Sequence, residues 1–384
     1  MWMNIRYICH IHCAVKIGEM TTNEPREFVH DVVGKLLGAL QMLPDAHTHP
    51  PIWENSVAGK RVDAAVDFQV ADRSFSLLIE VKKSVFPRDV REIIWQLNKY
   101  VDQEQRRDPN KTLVPLLAAE SISTGAKELL RNELAGYYDT GGSLFIPARG
   151  AFIYVDKPPP QPLEKAVRTL FKGKRAQVFH VLLHDPHKWF GVKELAEQAK
   201  ALPSTTSETL TALERFDWID SKGQGPSKER RLARPGALLD EWKKQVLASR
   251  MTSARRYYVS ETDPTELTNR IASACEAHKV EYVITQEAAA QRYAPFLSSI
   301  SRIACRMAPG RTADAVLSEL NARVVTEGAN LIVIETNSQG EFLFKEHVGS
   351  VWLASPVQVY LDLLRGGERA QDMAEHLRRE RIGY

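Results

Sequence analysis

Asp63, Glu80 and Lys82 are the residues whose types and spacing point most directly to chemistry. Two carboxylates on neighbouring strands can hold a hard divalent cation such as Mg2+, which prefers oxygen ligands. That cation polarises a phosphate and lowers the pKa of a bound water. A lysine beside it can orient the water and offset charge that builds in the transition state. The plainer alternative is a solvated sheet edge that happens to read Glu-x-Lys.

The surrounding pattern supplies elements to position them. Glu24 to Leu40 reads as an amphipathic helix, with Phe28, Val32, Leu36 and Leu40 at helical spacing. In Arg61–Phe68, Val62, Ala64, Val66 and Phe68 alternate with Asp63, Ala65 and Asp67, which puts both aspartates on one face of a strand. In Ser76–Lys82, Leu77, Ile79 and Val81 share one face, and Glu80 and Lys82 share the other. Pro87 opens a helix with Val90, Ile93, Ile94, Leu97 and Val101 as its buried stripe. Gln96 and Tyr100 are four apart and adjacent on its surface. Asp45-x-His47-x-His49 has metal-ligand residue types, but its proline-flanked setting reads as a polar loop.

Asp63, Glu80-x-Lys82 and Gln96-x-x-x-Tyr100, in this order of elements, resemble the PD-(D/E)XK nuclease core with the Q-x-x-x-Y helix of its RecB-like branch. The resemblance covers roughly residues 24–160. It implies that Asp63 and Glu80 bind the metal and that Lys82 is the catalytic base or positions the water. Gln96 and Tyr100 would support the site or contact the DNA backbone. Asp67 is an alternative to Asp63, and Glu24 or Glu27 could supply the helix carboxylate some members use.

Pro158-Pro159-Pro160-Gln161-Pro162 is a stiff linker. After it, a helix over Leu163–Lys172, a second over Lys174–His184, a short strand at Trp189–Gly191 and a helix over Val192–Lys200 lead to a helix opened by Ser204 as cap. Trp218–Ser221, the turn Gly223–Pro226 and Arg230–Arg234 then form a hairpin. This is the winged helix-turn-helix order. Ser204, Thr205, Thr206, Ser207 and Thr209 start the helix that would approach base edges. Lys222, Lys228, Arg230 and Arg231 sit in or beside the hairpin, suited to phosphate. Leu163–Arg250 holds 17 Lys/Arg and 11 Asp/Glu, a balance of +6 against +3 for the whole chain. The alternative is a winged helix that contacts protein, with ordinary capping serines.

In the last third, Val280–Thr285 reads as a strand before a helix over Glu287–Tyr293, and Arg323–Val325 and Leu331–Ile334 as further strands. A helix from Val357 breaks at Gly366-Gly367 and resumes to Arg379. Asp362 and Tyr360 read as structural as readily as functional. Ile284–Ala290, and more clearly Ser355-Pro356-Val357-Gln358-Val359-Tyr360-Leu361-Asp362-Leu363, resemble the AbiEi-type antitoxins of type IV toxin–antitoxin systems, over roughly residues 163–384. Gln286 stands where that family's Thr-Gly turn has glycine. The family implies repression of the protein's own operon through the winged helix, and neutralisation of a nucleotidyltransferase-like toxin by the C-terminal domain.

Composition bounds these readings. The chain has 384 residues, 43% hydrophobic and 26% charged, enough for two or three cores and unlike a disordered polymer. No run approaches the roughly 18 apolar residues of a membrane span, so a cytoplasmic protein without a membrane partner is expected. Cys275 and Cys305 read as buried thiols. Cys9-His10-Ile11-His12-Cys13 offers soft ligands, but no second pair lies at finger-like spacing. The plainer reading is an unstructured leader, residues 1–20, ahead of Met20. The expected fold is α/β multidomain: a PD-(D/E)XK-like core over 21–160, a winged helix over 163–249 and an AbiEi-like α/β domain over 250–384. The leading function is a DNA-binding antitoxin-type regulator of double-stranded DNA. The alternatives are a Mg2+-dependent DNA endonuclease targeted by its winged helix, and a purely structural adaptor. A palindromic target would imply a homodimer.

Overall fold

The structure is a computed structural model that describes residues 24–57, 60–249 and 254–384. The side chains of residues 24–25, 54–57 and 60–61 lie outside the described set, as do the Cys9–Cys13 run, Met20 and the boundary around residues 250–253. The chain divides into two compact units. The first ends at Val85 and resumes over Asp89–Pro160; the second comprises Phe86–Arg88 and Gln161–Tyr384. Both are mixed α/β.

The first unit has an eight-stranded sheet. Helix α1 (Glu24–Gln41) precedes strands β1 (Ala46–Thr48), β2 (Ile52–Val57), β3 (Lys60–Val70) and β4 (Arg73–Val85). Helix α2 (Pro87–Arg107), β5 (Leu113–Ile122), α3 (Thr124–Asn132) and β6 (Gly136–Asp139), β7 (Leu144–Ala148) and β8 (Ala151–Val155) follow. The order is β1-β3-β4-β5-β6-β7-β8, with β2 also paired to β3. β3 and β4 are antiparallel, and β5 and β6 continue parallel to β4. A parallel step requires a crossover, which α2 and α3 provide.

Each face of this sheet is covered. Val32, Val33, Leu36 and Leu40 of α1 pack on Ala64, Val66, Leu77 and Ile79. Val90, Ile93, Leu97 and Tyr100 of α2 pack on Leu78, Leu117 and Tyr137 on the other side. The expected alternation of β3 breaks at its start. Val62 joins the α2 side rather than the α1 side, just beyond the end of the β3–β4 ladder, which runs from Val70↔Arg73 to Ala64↔Ile79.

The second unit opens with α4 (Gln161–Leu170), so the proline linker ends at Pro160; Pro162 sits in the first helical turn, where its missing N–H costs nothing. Next come α5 (Gly173–His184), β9 (Phe190–Gly191), α6 (Val192–Gln198), α7 (Pro203–Arg215), β10 (Ile219–Lys222), β11 (Glu229–Leu232) and α8 (Pro235–Ala248). Their small sheet has the order β10-β11-β9. The remainder contains β12 (Ala254–Tyr258), α9 (Pro264–Ala277), β13 (Tyr282–Thr285), α10 (Gln286–Tyr293), β14 (Ile303–Met307), α11 (Arg311–Glu319), β15 (Arg323–Val324) and β16 (Leu331–Glu335). After a 3-10 turn at Gln339–Phe342 come β17 (Glu346–Val348), β18 (Val351–Leu353), α12 (Pro356–Leu363), α13 (Glu368–Leu377) and a π turn at Arg378–Ile382. The seven strands run β15-β12-β16-β14-β13-β18-β17.

One apolar cluster runs through this whole unit, from Phe171, Phe179 and Trp242 to Ile284, Val359 and Leu377. The segments expected as separate domains over 163–249 and 250–384 therefore share one core. Cys275 and Cys305 are buried, as expected, and burial pushes both thiols up. Gln286 adopts φ 53°, the left-handed conformation that glycine would hold without strain. No helix among the described residues is long and apolar enough to cross a membrane.

Candidate functional site

Strands β3 and β4 and helix α2 bring together the five residues singled out in the first unit. Where the β3–β4 ladder stops, Asp63 Oδ2 accepts the Val81 N–H at 2.7 Å. The side chain replaces the missing backbone partner and fixes the carboxylate beside Glu80. Glu80 is buried and accepts from Lys82 Nζ at 2.6 Å. Gln96 Nε2 donates to Tyr100 OH at 2.7 Å, and Gln96 also bonds Glu80. Burial raises the Glu80 pKa, and the Asp63 charge raises it further against the pull of Lys82. The Lys82 ammonium is held above its usual pKa by Glu80 and Asp63, against desolvation.

Asp63 and Glu80 supply carboxylate oxygens of the kind a hard cation prefers, while the Lys82 ammonium, bonded to Glu80, has no lone pair for a metal and would stand beside it. Mg2+ keeps several waters and needs only one or two protein carboxylates. Among the described residues no group of three or more His, Cys, Asp and Glu lies close enough to hold a metal. Asp45, His47 and His49 are exposed and form no such group. Asp67 is no substitute for Asp63: it bonds the Ser76 hydroxyl and lies 3.3 Å from Lys111, with its pKa lowered by those partners. Glu27 is exposed, and the Glu24 side chain lies outside the described residues.

The nine residues proposed to meet DNA divide sharply. α7 starts at Pro203 with Leu202 before it, so Ser204 is not the cap. Proline has no N–H to satisfy and takes the first helical position. Ser204 is exposed, and Thr205 and Ser207 are partly exposed. Thr206 and Thr209 are fully buried, and their hydroxyls donate back to the carbonyls of Leu202 and Thr205 at 3.1 and 2.7 Å. They are core residues and cannot meet base edges as placed.

The hairpin cations are all paired. Arg230 shares the inward face of β11 with Leu232 and is 7% exposed. Its Nε donates to Glu214 Oε1 at 3.1 Å, while Lys228 Nζ lies 2.7 Å from the same oxygen and Ser221 Oγ donates at 2.8 Å. Those donors outweigh desolvation and lower the Glu214 pKa to about 2. Arg230 is thus a strut under the hairpin rather than a surface contact. Lys222 pairs with Glu229 at 2.9 Å and Arg231 with Asp220 at 2.7 Å. Both also lie over the Trp189 ring, at 4.5 and 4.8 Å. They keep solvent-facing charge, whereas Arg230 does not.

Glu214 and Trp189 were missed at the sequence level. The signal for Glu214 was present: it lies four residues after Leu210, on the same helical face, where a carboxylate needs a buried partner. Asp362 in α12 is also buried. It accepts from Arg306 at 2.6 and 2.8 Å, from Thr285 at 2.6 Å and from Gln358 at 2.8 Å. Arg306 reaches Glu341 as well. This network ties β13, β14 and α12 together and makes Asp362 structural.

No curated protein and no solved structure matches the chain. Residues 231–382, from β11 to the end of the π turn, match the family model described as "Transcriptional regulator, AbiEi antitoxin, Type IV TA system".

Proposed function

We propose that the protein is a DNA-binding transcriptional regulator of the AbiEi antitoxin type. The observation that carries this reading is the family match over residues 231–382. The helix–helix–hairpin arrangement of α6, α7, β10 and β11 supports a winged helix as the DNA reader. The exposed ends of that arrangement, Ser204, Thr205 and Ser207 on α7 with Lys222 and Arg231 on the hairpin, are the side chains we assign to duplex DNA. A nucleotidyltransferase-like toxin would be the protein partner of the C-terminal part.

The test is a mobility shift on duplex DNA from upstream of the protein's own gene. Binding should weaken as salt rises, because each neutralised phosphate releases counterions. Lys222→Gln with Arg231→Gln should weaken binding and flatten that salt dependence. A shift that ignores both salt and these changes, or no shift at all, would sink the DNA reading.

A second reading is favoured by the convergence of Asp63, Glu80, Lys82, Gln96 and Tyr100 on one spot. In it the first unit is a PD-(D/E)XK-like, Mg2+-dependent DNA endonuclease. Asp63 and Glu80 would hold the cation, Lys82 would position the attacking water, and Gln96 with Tyr100 would hold Glu80 in place. When bound, the metal would polarise the phosphate. Plasmid nicking in Mg2+ or Mn2+ that disappears in Lys82→Ala is expected. Nicking of equal strength in that variant would belong to a contaminant, and calorimetry showing no uptake of either ion would remove the metal role.

A further inference from the structure

The second unit contains a cavity of about 270 Å³ that neither reading uses. It lies among α4, α5, α8, α12 and the 3-10 turn at Gln339–Phe342. Phe171, Trp242, Val246 and Leu361 give it apolar walls.

Two residues of its lining, His180 and Gln177, carry buried acceptors that receive no hydrogen bond among the described residues. His180 is 4% exposed and hydrogen-bonds the Gly340 backbone through its ring, yet Nε2 has no partner among the described residues. Gln177 is 3% exposed; its Nε2 donates to Ser338 Oγ at 3.4 Å, and its Oε1 has no partner among the described residues. Burial lowers the His180 pKa to about 4, so the ring is neutral at physiological pH. With one ring N–H given to a carbonyl, Nε2 presents a lone pair. Buried polar groups normally find partners, so two orphaned acceptors beside a cavity point to a donor that enters it.

The approach is held tightly. A Cβ on Gly340 would stand 2.4 Å from Gln177 Cγ, so only glycine lets the turn come this close to α5. The charge at the cavity is set separately. Arg306 is spent on Asp362 and Glu341. Arg168 and Lys172 are exposed at the lining, and among the described residues no hydrogen bond or ion pair engages either. With Arg306 and Arg365, four cationic side chains line the cavity against two acidic ones, Glu341 and Asp362. The surplus favours an anion.

We propose that this cavity binds a small organic anion that carries an N–H or O–H donor on an apolar ring, the donor meeting His180 Nε2 or Gln177 Oε1 and the anion meeting Arg168 and Lys172. A carboxylate or a phosphate ester would each satisfy this chemistry. The inference does not depend on DNA binding or on nuclease activity.

The probes are 4-hydroxybenzoate, for the carboxylate class, and adenosine 5′-monophosphate, for the phosphate class. Benzoate lacks the donor, and phenol and adenosine lack the charge. Calorimetry on the full chain should show saturable binding of at least one probe, with each matched control at least about ten-fold weaker, the loss expected for one buried hydrogen bond or one ion contact. Which probe binds identifies the anion. Arg168→Gln with Lys172→Gln changes only exposed side chains and should weaken binding by about ten-fold. His180→Phe should abolish the advantage of 4-hydroxybenzoate over benzoate, or weaken the mononucleotide by about ten-fold relative to wild type. No saturable binding of either probe up to about 10 mM, a concentration beyond weak specific affinity, overturns the proposal. So does binding that both sets of variants leave unchanged.

Discussion

Glu214→Gln tests how the hairpin is held to α7. The wild-type carboxylate receives Arg230, Lys228 and Ser221 at 3.1, 2.7 and 2.8 Å on one oxygen, and the exposed Arg88 at 3.3 Å on the other. The substitution keeps the shape and the Ser221 contact but removes the charge. A carboxyl whose pKa falls from 4.5 to about 2 stores about 3 kcal/mol of pairing energy. Stranding a buried Arg230 gives a similar figure, about 3–5 kcal/mol. Lys228 is partly exposed and can turn to water, so about 2–4 kcal/mol is expected. For a unit of roughly two hundred residues, each kcal/mol moves the midpoint by about 2–4 °C, so a drop of about 4–16 °C follows. Scanning calorimetry of the full chain at pH 7 reads it in the transition of the second unit. The pH dependence has a definite sign. A depressed carboxyl stabilises above its unfolded value of 4.5 and loses that contribution as pH falls through about 2. The gap between wild type and variant must therefore narrow from pH 5 downward. Equal midpoints at pH 7, or a gap that widens in acid, would refute the strut.

Three further outcomes are expected. Gln286→Gly should raise stability by about 0.5–1 kcal/mol, because φ 53° strains a glutamine and not a glycine; a lower calorimetric midpoint would contradict this. Asp362→Ala should lower stability by about 3–5 kcal/mol by leaving Arg306 buried with Glu341 as its one acid, and the double change Arg306→Met with Asp362→Leu should recover much of it in urea unfolding. Glu80→Gln should not destabilise the first unit at pH 7. The raised pKa of Glu80 means folding favours its neutral form, so its ionised form opposes folding as pH rises past the unfolded value. The same variant should lose Mg2+ uptake in calorimetry, a separation of stability from site that a purely structural carboxylate would not show.

Much of the first unit was legible because periodicity speaks for helices and strands one at a time. The α1 stripe, the Leu77–Ile79–Val81 face and the Pro87 start all appear where the spacing puts them. The convergence of Asp63, Glu80, Lys82, Gln96 and Tyr100 followed from those faces plus the order of elements. The hairpin shows where such reasoning stops. Charge alone marked Arg230 as a surface cation, yet its alternation with Leu232 put it inside. Thr206 and Thr209 looked like surface hydroxyls, but threonine can bury itself by bonding the carbonyl four residues back. No local pattern announces that Gln177 and Gly340 meet, since that approach joins residues far apart in sequence.

The apolar cluster that runs unbroken from Phe171 to Leu377 also limits how this protein can be taken apart. Grafting α5 to β11 onto another effector at a seam near residue 250 would tear open an oily interior on both pieces. Each fragment would then tend to clump or demand a substitute lining.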